Sequence, residues 1–243
     1  IARMKSDYDT EDFTYILNDS YRNMLPEDSA SSSDRKIYSL FQKCYSVRII
    51  TRENQRTIND SKKDYETRDG KELTPFNEDE TSLLTSLDFE KLPKSMKARI
   101  YDVLWLSNKN YQYALIASDT YFELYQETFS PDEWVKCTDY VTRALMLVWH
   151  LHNDDHRDKF LQKIYSDIIS VDGKDMLFLS TTLIELLLKY DFPLDQNTLE
   201  NLLDITDKLI ARRLPGNLGL RDSYETKAAI LHNAGDNQSE EQT

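Results

Sequence analysis

At 243 residues and a formal charge of −13, the chain is long enough to bury roughly 70 to 75% of the surface that its unfolded form would expose, so one large domain or two small ones can form around a core. The acidic balance makes phosphate backbone an unfavourable partner for the surface as a whole, which sets general nucleic-acid binding aside. Cys44 and Cys137 are the only cysteines and show no Cys-x-x-Cys spacing, which fits a reducing, cytoplasmic setting and excludes a multi-cysteine zinc site; no apolar run reaches membrane-spanning length.

Only five glycines and six prolines are present, and antiparallel sheets joined by tight turns need such residues often, so the composition favours helices. Phe13, Ile16, Leu17 and Tyr21 predict a first helix over Thr10 to Met24, ended by Pro26 and the serine run that follows. Ile37, Leu40, Phe41 and Cys44 predict a second from Asp34 to about Val47. From Arg52 to Glu80 the apolar period disappears and Gly70 and Pro75 act as breakers. Such a stretch is uncommon inside one domain. The organisation expected is therefore an N-terminal helical arm over residues 1–52, a polar loop or linker over 53–78, and a main helical-hairpin domain over 79–243 that continues past the chain end.

Beyond Asp79 the helical pattern is nearly continuous. A short helix is expected over Thr81 to Phe89. Pro93 then suits a first helical turn, and Met96, Ile100, Val103 and Leu104 form one buried stripe. Polar residues Ser107 to Asn110 turn the chain into a helix carrying Ala114, Leu115, Tyr121, Phe122 and Tyr125. Ser130-Pro131-Asp132-Glu133 reads as a capped entry to the next, with Trp134, Cys137, Val141, Leu145 and Val148 on its face. Asn153, Asp154 and Asp155 close it and open another through Phe160, Ile164 and Ile168. Met176 to Tyr190 is apolar on most sides and so expected to be central. Asp195 to Thr198 begin a helix striped by Leu202, Leu203, Leu209 and Ile210, and a last one runs from about Arg221 to Asn233, with Gly235 suited to a left-handed cap. The expected class is all-α, with antiparallel helical hairpins stacked as a solenoid-like array or an orthogonal bundle. The hairpins recur at about forty residues without a repeated residue motif.

Three constellations carry candidate chemistry. Arg143 and His150 return to nearly one helical face after seven residues, and this Arg-x6-His spacing resembles the loose motif of helical HEPN ribonucleases, in which both residues act on RNA phosphate. Ala144 stands where that motif carries a polar residue, so the plainer reading is an exposed pair flanking an apolar helix segment. His150, His152 and His156 with Asp154 and Asp155 concentrate metal-ligand types, yet Asn153-Asp154-Asp155 looks like a helix boundary, so capping is expected and no metal or other cofactor. Arg48, Arg52 and Arg56 have the spacing of one helical face and form a basic patch that could meet RNA; pairing with a carboxylate of the body is the favoured role. No Gly-rich phosphate loop, Gly-x-Ser-x-Gly elbow or His-Glu-x-x-His pair occurs.

The segment Ala98-Arg99-Ile100-Tyr101-Asp102-Val103-Leu104-Trp105, with Asn110-Tyr111, the Ala114 to Tyr125 helix and an echo in Tyr224 to Asp236, resembles a bacterial helical domain of unknown function. In that family the domain precedes a C-terminal HEPN-like domain bearing Arg-Asn-x-x-x-His. This sequence contains no such motif, so the resemblance implies that the chemistry lies beyond Thr243 and that Arg143 and His150 inherit no role from it. It further implies a non-catalytic interaction or regulatory front end of a longer protein of stress response or phage defence. Arg99 and Asp102, three apart on one helix, can pair and orient Trp105 as a structural signature. The expected partner is protein: another domain of the same chain, a separate protein, or a second copy in a homodimer. Nucleic acid is disfavoured by the acidic surface, and no membrane is involved.

Overall fold

The computed structural model describes residues 32–49, 65–67, 73–130, 132–170, 177–213 and 218–235. The expected helix over Thr10 to Met24 lies outside them, as do Arg52 and Arg56. The class is all-α. Nine helices are described: α1 Ser32–Ser46, α2 Glu78–Thr85, α3 Lys94–Asn108, α4 Tyr111–Glu127, α5 Trp134–His150, α6 Asp154–Ser170, α7 Leu177–Lys189, α8 Gln196–Arg212 and α9 Leu218–Asn233. A small ribbon departs from the helical pattern: β1 Val47–Ile49 pairs antiparallel with β2 Tyr65–Thr67, with Arg48 opposite Glu66. Val47 and Ile49 are β-branched and sit badly in a helix but well on a pleated pair. The chain divides into two compact units, residues 1–124 and 125–243.

In the first unit α1 packs on α2 and α3, burying Leu40, Phe41 and Cys44 with Leu84, Met96 and Ile100. A capping box starts α2: Glu80 N–H donates to Asn77 Oδ1 at 2.8 Å, and Asn77 N–H donates back to Glu80 Oε2 at 3.0 Å. Glu80 Oε2 also accepts from Lys43 Nζ of α1 at 3.2 Å. The same ammonium donates to the Pro75 carbonyl at 3.2 Å and sits 3.9 Å from the centroid of the buried Phe76 ring. From the other side Phe76 N–H donates to Ser107 Oγ of α3 at 2.8 Å. One lysine and one serine thus hold the entry to α2 against its two neighbours. Pro93 stands one place before α3, where its carbonyl accepts from Met96 and Lys97 N–H at 3.0 and 3.1 Å and its missing N–H costs nothing.

The second unit is organised by α7. It packs against α5, α6, α8 and α9, while α5 meets α6 and α8 meets α9. That position follows from its composition: Leu179, Leu183, Ile184, Leu186 and Leu187 are all buried, and only a helix apolar on most sides loses nothing by being covered all round. Capping side chains set the entries to α6 and α8, where Asn153 Oδ1 accepts from His156 N–H at 3.1 Å and Asp195 Oδ1 from Thr198 N–H at 2.7 Å. The entry to α5 differs from expectation. The helix begins only at Trp134, after a turn at Asp132 and Glu133, and no side chain caps it; its first turn is closed by Cys137 N–H on the Glu133 carbonyl at 2.9 Å.

Candidate functional site

Two features of the second unit combine polar or aromatic groups in a way that helix packing by itself does not demand. One is interior. Tyr125, at the C-terminal end of α4, is fully buried, and its hydroxyl donates to Asp167 Oδ2 of α6 at 3.0 Å. Asp167 is 8% exposed, and its Oδ1 accepts from Lys163 one turn earlier. Phe129 meets the Tyr125 ring edge-on at 5.6 Å between centroids. Burial, and then the nearby Asp167 carboxylate, push the Tyr125 phenol far above its ordinary value. Cys137, buried on α5, is pushed up to about 12 by the same two causes. A thiol so placed stays protonated at neutral pH and is a poor nucleophile. In the first unit Cys44 is likewise raised to about 12 by burial, which the nearby cations of Arg99 and Lys43 only partly offset. Neither cysteine nor Tyr125 is poised for chemistry.

The other feature is at the surface. Trp149, in the last turn of α5, is 39% exposed although Val141 to Val148 before it are all buried. The Tyr190 ring, just past α7, meets it at 5.5 Å and 65°. The Arg157 guanidinium, from the first turns of α6, lies 5.8 Å from the Trp149 centroid and is held there by Asp154 and Asp158 at 3.0 and 2.9 Å. Lys189 Nζ lies 5.4 Å from the Tyr190 ring. Three helix ends thereby present a flat indole with a bound cation beside it, a geometry suited to contact rather than to bond making.

Of the sequence candidates, Arg143 and His150 are not brought to one surface. The side chain of Arg143 is 1% exposed, whereas His150 is exposed at the end of α5. The two share a helical face, but that face is covered at one residue and open at the other. The expectation of an exposed pair is corrected at Arg143, because α5 is enclosed on every side over Val141 to Val148. The three histidines do not share an unbroken helix. His150 ends α5, His152 adopts a left-handed conformation at φ 50°, and the ring of His156 packs edge-on against Phe160 at 6.0 Å. Asp154 is engaged with Arg157, and among the described residues no group of three or more histidine, cysteine or acidic side chains is placed to hold a metal ion. Arg48 sits on β1 and not on a helix, and Arg52 and Arg56 lie outside the described residues. Asp102 is fully buried, and Arg99 and Trp105 are half-buried; Lys109 Nζ stands 5.2 Å from the Trp105 ring. The Tyr125–Asp167 bond and the Trp149–Arg157 contact escaped the sequence reading. Lys163 and Asp167, four apart on a helix, were the visible trace of the first. The second joins residues from two helices and leaves no local pattern.

The model of a family described as a domain of unknown function, DUF7380, matches residues 3–159. The chain belongs to the DUF7380 family. The match runs through α5, takes in Trp149 and Arg157, and stops inside α6. No curated protein and no solved structure matches the chain. No helix of the described residues is long and apolar enough to cross a membrane.

Proposed function

We propose that this DUF7380 chain is a non-catalytic interaction module of a longer bacterial protein, one that docks protein through the Trp149 edge and regulates a domain further along the same polypeptide. The observation that carries the reading is Trp149 itself. A large aromatic side chain stays partly open to water directly after eight buried residues of α5, with a guanidinium beside it, and tryptophan and arginine dominate the energetics of protein interfaces. The resemblance of residues 98–125 to domains that precede an HEPN-like domain supports the placement in front of a catalytic partner, and with it a role in stress response or phage defence in the cytoplasm. The interior chemistry agrees with a scaffold. The two thiols and the Tyr125 phenol are held protonated, and Arg143 is enclosed, away from any RNA phosphate.

The test uses the full reading frame. The downstream part is produced separately, and its affinity for the present chain is measured by calorimetry with wild type and Trp149→Ala. Hot-spot behaviour predicts at least about tenfold weaker binding, which is ~1.4 kcal/mol, by a variant that circular dichroism shows to be still folded at the assay temperature. Equal affinity for both forms would overturn the docking edge. RNA cleavage by the present chain in chelator, lost in His150→Ala, would replace the whole reading with a nuclease.

A further inference from the structure

We draw no further inference here: the strongest candidate, the acidic rim of Asp154, Asp155 and Asp158 around Trp149 at the head of α6, belongs to the surface already described, two of its carboxylates already pair with Arg157, and nothing in the structure shows what covers it.

Discussion

Replacing Tyr125 with phenylalanine removes one oxygen from the interior and nothing else. The ring keeps its place against Phe129, so no methylene-sized cavity opens and the loss is almost purely that of a hydrogen bond. That bond runs at 3.0 Å from a fully buried phenol to a carboxylate that is itself 8% exposed. A hydrogen bond to a charged group is worth about 1.5 to 3 kcal/mol, and a buried oxygen stripped of its donor bears a penalty of the same order. Tyr125→Phe should therefore destabilise by about 2 kcal/mol, read as a lower urea midpoint at unchanged m-value in circular dichroism. The cost should shrink in an Asp167→Ala background, where this acceptor is gone. A cost under about 0.5 kcal/mol in the wild-type background, or an equal cost in both, would refute the assignment of the bond as a stabilising element of the second unit.

The Lys43 clamp in the first unit should be worth about 1 to 2 kcal/mol, since one ammonium serves Glu80, the Pro75 carbonyl and the Phe76 face; thermal unfolding of Lys43→Ala measures it, and an unchanged melting temperature would count against it. Burial opposes ionisation of Glu80, but the Asn77 N–H and the Lys43 ammonium outweigh it and hold the carboxyl below its ordinary 4.5; its contribution is present above that pH and lost as pH falls through the folded value, a loss that should shrink in Lys43→Ala. His152 and Asp191 hold left-handed conformations at φ 50° and 58° just past helix ends. Either residue exchanged for glycine should raise stability by about 1 kcal/mol in urea melts, and a lower stability would contradict the strain. Cys44 and Cys137, raised from 9.0 to about 12, bind their protons more tightly folded than unfolded. The thiol contribution is complete below pH 9 and should fall above it by about 1.4 kcal/mol per pH unit for each thiol, and between pH 9 and 10, before the buried Tyr125 phenol adds its own dependence, Cys44→Ala should halve that slope.

Helix identity was legible because it depends on spacing along one segment. The stripes through Leu40 and Cys44, Met96 and Leu104, and Leu202 and Leu209 needed no partner to be recognised, and the crowded apolar surface of α7 announced that it would be covered on all sides. The capping residues Asn153 and Asp195 were equally local. Where the reading failed, the deciding force came from elsewhere in the chain. Ser130 and Pro131 looked like a helix entry on their own, yet α5 starts four residues after Ser130, with no side-chain cap on its first turn. Arg48 satisfied a helical spacing on paper, but β-branched neighbours and pairing with β2 draw it into a strand. Burial of Arg143 could not be foreseen, because a long cationic side chain is seldom placed in the interior. Nor could the setting of Trp149. It lay outside the stripe of α5, and only contacts with the ends of α6 and α7 show how its ring is placed.

The point at which the family match stops does not coincide with a point at which the structure could stop. Residue 159 falls within the first half of α6, before Phe160, Leu161, Ile164 and Ile168, all of which are buried, and before Asp167, which receives the Tyr125 hydroxyl. The matched stretch therefore contains Tyr125 and the whole of α5 but not the groups that satisfy and cover them. α7, which packs on both α5 and α6, lies entirely past it. A helix whose residues from Val141 to Val148 are all enclosed loses roughly 1.5 to 3 kcal/mol for each large apolar side chain laid open to water, so removing the second half of α6 and α7, which pack on α5, should destabilise it. Tyr190, which fixes one edge of the exposed Trp149 ring, belongs to that later part as well. The surroundings of Trp149 are thus completed by residues that follow the DUF7380 match.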